Sequence, residues 1–292
     1  MSLPLVVGVD GSEASLRAVD WAAEEAAMRG LELRLLHASL WEPYEGTGPN
    51  VPLNRPHGLD IAAQILQGAI ARAAARHREV KIFAETLAEE PEPVLMRAAL
   101  NATALVTGRR GRGPVQELLL GSVSLAVAAH APCPVIVVRG SEAGRNAIHE
   151  RILLGVGDAD SSVSAIRFAF AEAATRHCVL DAVRAWRSPV REPLHHPPQP
   201  GESACPDQLR AQELLADSLR GPARVHPDVR MRPVAVEGPA RRILIDRSAA
   251  ADLLVVGTRR RHSHFGLQLG PVGHALLHHA DCPVAIVPQH GS

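Results

Sequence analysis

The sequence predicts two tandem α/β domains, each a doubly wound, five-stranded parallel sheet of order 3-2-1-4-5 with helices on both faces. Three observations carry this expectation. The chain repeats itself: HAPCPVIVV at 130–138 returns as HADCPVAIV at 279–287, an offset of 149 residues (279 less 130), and Gly108 and Gly257 share that offset. A period this long marks a duplicated domain, not a solenoid of units of about 20 to 50 residues. Within each half, short apolar runs alternate with stretches of helical periodicity, which implies parallel pairing. The length of 292 residues suits two domains better than one. The first is expected at 1–140 and the second at 150–292, with the boundary in the polar stretch RGSEAGRNAIHE, 139–150.

The first half can be read element by element. LVVGV (5–9) is a strand, and Ser12 then caps a helix with an apolar face at Leu16, Val19, Ala23, Ala26 and Ala27 that stops at Gly30. LELRLLHA returns to strand and is followed by a Pro/Gly-rich loop. DIAAQILQGAIARAAARHR reads as an amphipathic helix capped by Asp60, and VKIFAETL as the third strand. Pro93 suits the first turn of a short helix through Leu100. ALVT is a buried strand, 122–130 a helix with Ser122 as N-cap, and VIVV the last strand. The second half repeats this order, with LDAVRAW ending at Trp186 facing LLHASLW ending at Trp41, and with a proline-rich loop between Pro189 and Pro206.

Composition removes several classes of function. Lys+Arg and Asp+Glu both number 31, so no global field favours nucleic acid or an anionic membrane. Aromatics are 3%, too sparse for base-stacking platforms. The start MSLPLVVGVD lacks the basic n-region of a signal peptide, no later stretch suits a bilayer span, and a cytoplasmic protein is expected. Cys133, Cys178, Cys205 and Cys282 form no C-x-x-C pair, and Cys133 and Cys282, each before a proline and an apolar run, are read as buried packing residues. His262, His264, His278 and His279 show no ordered ligand spacing, so no metal site is assigned, and no catalytic triad or carboxylate pair emerges.

The stretch VTGRRGRGPVQELLLGSVS (106–124) crowds four glycines and three arginines between a strand and a helix. In open α/β sheets that is the carboxyl edge, where ligands bind at the switch in strand order. With the first and fourth strands adjacent, Asp10 and Gly108 flank the crevice. Backbone N–H groups of a glycine-rich turn and a helix N-terminus would converge there on an anion. The spacing is neither a Walker loop, since no Gly-Lys-Ser/Thr closes it, nor a G-x-G-x-x-G opening its helix.

Gly108, two residues, Gly111, nine residues, then Gly121-Ser122 resembles the G-x2-G-x9-G-(S/T) motif of the ATP-binding universal stress proteins. The resemblance extends through VVGVDGS (6–12) and GSVSLAVAAHAPCPVIVV (121–138) and covers nearly the whole chain as a tandem pair. It implies that Asp10 contacts the adenosine part of ATP, that Ala38 lines the adenine pocket, and that Gly8 is a further nucleotide-binding residue. The loop through Gly108, Arg109, Arg110, Gly111, Arg112 and Gly113, with Gly121, Ser122, Val123 and Ser124, would wrap ribose and phosphates, with any Mg2+ held by the phosphates. It further implies a stress-response regulator that hydrolyses ATP slowly if at all, and a homodimer as the assembly. The alternatives are a slow ATPase and a nucleotide-free dimeric scaffold.

Each residue also has a plainer reading. Asp10 can cap the first helix beside Ser12, the three arginines can form a solvated loop, and Gly111 and Gly121 can serve turn geometry alone. The second half keeps Gly257 and Gly270 but has Arg260 for the second glycine, Pro271 for Ser122 and Gly157 for Asp10. Pro271 has neither N–H nor hydroxyl for an anion. One ATP per chain, held by the first half, is therefore expected.

Overall fold

In each half of the chain, valine- and leucine-rich strands build one parallel sheet with helices on both faces. The computed structural model describes residues 2–39, 57–109, 120–187, 206–258 and 269–289. It divides into two units, Met1–Val138 and Arg139–Ser292.

The first unit runs β1 (Leu5–Gly8), α1 (Glu13–Arg29), β2 (Leu33–Ala38), α2 (His57–Arg76), β3 (Ile82–Leu87), α3 (Pro91–Ala99), β4 (Ala104–Gly108), α4 (Ser122–His130) and β5 (Val135–Val138). Its strands lie in the order β3-β2-β1-β4-β5, all parallel. The register places Val7 of β1 opposite Leu35 of β2 and Val106 of β4. Leu5, Val6 and Val7, like the whole of β4, are buried. Such continuous apolar runs are what a sheet covered on both faces requires, and each fully buried Val or Leu contributes about 1.5 to 3 kcal/mol. β3 lies at the edge and exposes Phe83, Ala84, Glu85 and Thr86.

The helices follow their sequence signals with local differences. Ser12 caps α1, its Oγ accepting from Ser15 N at 3.2 Å, and Gly30 ends it. The buried face of α1 is wider than a single stripe: Ala18, Trp21 and Ala22 join Val19, Ala23 and Ala26, whereas Leu16 and Ala27 are half-buried. Small side chains let the helix lie close on the sheet while α2 packs beside it. α2 begins at His57, so Asp60 lies in its first turn and is not its cap; a carboxylate there still favours the positive end of the helix. α3 starts with Pro91 at a first-turn position and ends at Ala99. The cap of α4 is Gly121, not Ser122. Gly121 has extended backbone angles and its N–H donates to Arg109 O at 2.9 Å, which fixes the turn one residue earlier than the hydroxyl suggested.

The second unit opens with the stretch that reads in sequence as a polar connector. Arg139 donates to Leu276 O at 2.8 Å and His278 O at 2.9 Å, Ser141 N donates to Asp281 O at 2.9 Å, and Ser141 caps the one-turn α5 (Glu142–Arg145). Then come β6 (Arg151–Gly155), α6 (Ala159–Thr175), β7 (Val179–Trp186), α7 (Pro206–Val225), β8 (Met231–Glu237), α8 (Ala240–Ser248), β9 (Leu253–Thr258), α9 (Pro271–His279) and β10 (Val284–Pro288). The parallel order β8-β7-β6-β9-β10 repeats the first unit.

Strand register corrects one equivalence drawn from the tryptophans. Gly8 pairs with Leu36 and Gly155 with Val183, so Leu36 corresponds to Val183, and Trp186 corresponds to Ser39 and not to Trp41. In the fourth strands Val106 and Val255 are equivalent, which keeps Gly108 matched to Gly257.

Three of the cysteines are buried free thiols. Burial pushes the Cys133 thiol up to about 12 and that of Cys178 up to about 11, and it raises Cys282 as well. A raised thiol pKa leaves the unreactive SH form in place at pH 8. Iodoacetamide at pH 8 should therefore leave Cys133, Cys178 and Cys282 unmodified in the native chain and alkylate all three in guanidinium, as read by peptide mass spectrometry. Native alkylation of any of them at the unfolded rate would contradict the burial described. Cys205 lies outside the described residues.

Candidate functional site in the first unit

A cavity of about 480 Å³ lies at the carboxyl ends of β1, β2 and β4, bounded by α3 and the first turn of α4. Its size is ordinary for a small-molecule site. Gly8 and Asp10 border it from the end of β1, Ala38 from β2, and Gly108 from β4. Gly121, Ser122, Val123 and Ser124 border it from the opening of α4. These eight residues come from four separate stretches of sequence, and the parallel order brings them to one edge.

The chemistry divides between the two sides of the cavity. On the α4 side, the helix presents the N–H groups of its first turn, which have no partner within the helix. No acidic residue stands in that turn to offset the positive end of the dipole. Ser122 is the first helical residue and is exposed, so its hydroxyl is outside the cap. Ser124 is buried, and its Oγ donates to Gly108 O at 2.8 Å, tying the start of α4 to the end of β4.

On the β1 side, Asp10 Oδ1 accepts from Ser12 N at 2.9 Å and from Ser12 Oγ at 2.6 Å. Ser15 Oγ lies 3.4 Å from Asp10 N and donates to Ser12 O at 2.9 Å. Ser12 thus caps the helix and Asp10 steadies the turn through Ser12, while both Asp10 and Ser15 border the cavity. His37, buried on β2, holds Val9 O through Nδ1 at 2.7 Å, fixing the same turn from below.

Gly108 answers to the fold as well as to the cavity. A Cβ there would lie 2.5 Å from Ala14 O and 2.9 Å from Ser15 N, so the start of α1 requires the bare backbone. A Cβ at Gly8 would meet only the branched end of Leu95 at 3.1 Å. Arg109 is half-buried and is not among the residues bordering the cavity; its N–H donates to Val138 O at 3.1 Å and its C=O accepts from Gly121 N. Arg110, Gly111, Arg112 and Gly113 lie outside the described residues, as do Arg260, His262 and His264.

Several bordering residues carry no signal in the glycine motif. Pro91 and Leu95 of α3 close one wall, Leu36 and Leu120 add apolar surface, and Thr107 precedes the first glycine. Nothing local marks Pro91 and Leu95, because their role comes from the crossover that lays α3 over β1 and β2. Thr107 has a signal within the chain, since its equivalent in the repeat is Val256.

The second unit builds the same edge with different chemistry. Ser162 Oγ accepts from Gly157 N at 3.0 Å, as Ser15 approaches Asp10 N. Arg184, at the position of His37, donates to Gly157 O. α9 is capped by Gly270 and begins at Pro271, and Gly273 stands where Ser124 ties α4 to β4. On α9 the His274 and His278 rings lie 4.5 Å apart, and no group of three His, Cys, Asp or Glu with metal-site geometry occurs among the described residues. No helix among them is long and apolar enough to cross a membrane.

A duplicated, doubly wound α/β fold with a glycine-rich crevice in its first copy defines the class. The family model described as the universal stress protein family matches residues 1–139 and 149–288, and the chain belongs to that family. Universal stress protein Rv2005c of Mycobacterium tuberculosis is 34% identical over 293 residues, covering 98% of this chain and 97% of its own length. A universal stress protein structure from Archaeoglobus fulgidus shares the fold at a TM-score of 0.71 and 16% identity, covering 98% of both chains. A second structure from that organism, in complex with dAMP, covers 47% of this chain and 98% of its own at 25% identity, with a TM-score of 0.36.

Proposed function

We propose that the first unit binds one adenine nucleotide, with ATP as the resident ligand, and that the protein acts as a stress-response regulator whose nucleotide-bound state is read by partners. The observation that carries this reading is the cavity itself. Eight of the residues singled out in the sequence border one space of about 480 Å³, beside a helix start with no acidic side chain in its first turn. Apolar walls from Leu36, Leu95 and Leu120 suit a purine ring, and the first-turn N–H groups with the exposed Ser122 suit phosphate oxygens. Mg2+ would be carried by the phosphates, because no protein ligand cluster gathers among the described residues. Binding is favoured over catalysis: Asp10, the one carboxylate bordering the cavity among the described residues, already accepts two hydrogen bonds from Ser12.

The second unit lacks four of these features, with Gly157 for Asp10, Val256 for Thr107, Pro271 for Ser122 and Gly273 for Ser124. Titration calorimetry with ATP and Mg2+ is therefore expected to give one site per chain. Two equivalent sites per chain, or no heat and no displacement of a labelled nucleotide, would reject the proposal.

A further inference from the structure

We propose that the Thr107 hydroxyl is a hydrogen-bonding anchor for the nucleoside part of the ligand in the first unit's cavity, an inference that rests on nucleotide binding there. Thr107 borders the cavity, is 4% exposed, and its Oγ1 finds no hydrogen-bond partner among the described residues. A buried hydroxyl without a partner is unfavourable to the folded state. The fold does not demand it. At the equivalent position of the second unit the chain carries Val256, the apolar residue of the same shape, on a strand paired in the same register. Threonine at this edge is thus a departure from the better apolar solution, present in the first unit, where it borders the cavity, and replaced by valine in the second.

Strand alternation sets the direction of the side chain. A Cβ at Gly108 would point at α1, so the preceding Thr107 faces the side of α3 and α4, where the cavity lies. The nearby hydroxyl of Ser124 is committed to Gly108 O. Thr107 is therefore left to meet whatever enters. That group belongs to the uncharged end of a nucleotide, because burying phosphate at a 4% exposed position costs far more than leaving it beside the exposed Ser122. Ribose hydroxyls and the ring nitrogens and amine of adenine all pair with a hydroxyl that can donate or accept.

The test compares wild type, Thr107→Val and Thr107→Ser by calorimetric titration with ATP and with AMP, alongside urea unfolding of the ligand-free chains. Thr107→Val should weaken ATP and AMP binding by the same factor, about three- to tenfold. Thr107→Ser should stay within about twofold of wild type, the hydroxyl being retained. Ligand-free Thr107→Val should unfold at the same or a higher urea concentration. Unchanged ATP affinity in Thr107→Val, as a bound water satisfying the hydroxyl would give, overturns the inference. So does a loss confined to ATP, which moves the contact to the phosphates, and so does an early urea transition, which makes the hydroxyl structural. A wild-type chain that binds neither nucleotide overturns the proposed function and this inference with it.

Discussion

Replacing Gly108 with alanine is expected to lower the stability of the chain by about 3 kcal/mol, the upper part of the range for overpacking a well-packed site. The added methyl would sit 2.5 Å from Ala14 O, 2.6 Å from Ala14 C and 2.9 Å from Ser15 N. Those atoms belong to the first turn of α1, whose position is fixed by the Ser12 cap and by the buried face that includes Ala18, Val19, Ala22 and Ala26. Relief therefore means moving the helix or the end of β4, and either shift disturbs the Gly108 carbonyl that accepts from Ser124. ATP affinity should fall together with the urea midpoint. Gly8→Ala provides the contrast: its methyl would meet the flexible end of Leu95 at 3.1 Å, so stability should change by less than about 1 kcal/mol. A Gly108→Ala chain as stable as wild type would show that α1 does not approach β4 as described.

The larger loss is expected from Gly140→Ala, about 4 kcal/mol. Two penalties act together there. Gly140 has φ +86, a conformation that costs an L-residue about 1 to 2 kcal/mol, and its Cβ would lie 2.2 Å from the carbonyl carbon and oxygen of Asp281 and 2.5 Å from Cys282 N. The surrounding contacts leave no room to yield. Ser141 N donates to Asp281 O at 2.9 Å, Ser141 Oγ caps α5, and the Arg145 guanidinium binds Gly140 O. A mid-sized domain responds to such a loss with a drop in Tm of about 10 °C. Scanning calorimetry of the purified variant decides it, and a Tm within about 2 °C of wild type would contradict the approach of the two backbones.

Much of this architecture is legible in the letters because several independent signals agree. The offset of 149 residues gives the duplication, the apolar run of β4 gives a doubly covered strand, and Ser12 and Gly30 bracket α1. Disagreement appears where a non-local bond outweighs a local preference. Ser122 is a good N-cap residue, yet the bond from Gly121 N to Arg109 O sets the cap at the glycine. The matched tryptophans suggest one alignment of the second strands, but hydrogen-bond register overrides it by two residues. The candidate site divides in the same way. Asp10, Gly108 and the α4 start are visible as a motif, whereas Leu95 and Pro91 reach the cavity only through the path of the chain over the sheet.

The hydroxyl-to-amide contact after the first strand of each unit, Ser15 with Asp10 N and Ser162 with Gly157 N, has a historical meaning. One ancestral gene supplied both copies, and whatever both still share predates their separation. The serine that fastens the turn is present in both copies, although one has aspartate and the other glycine at the amide it meets. The two copies differ at positions 10, 107, 122 and 124, which border the crevice, and share the serine that fastens the turn. The frame of the turn is thus the common inheritance of the two copies, set among residues that differ between them.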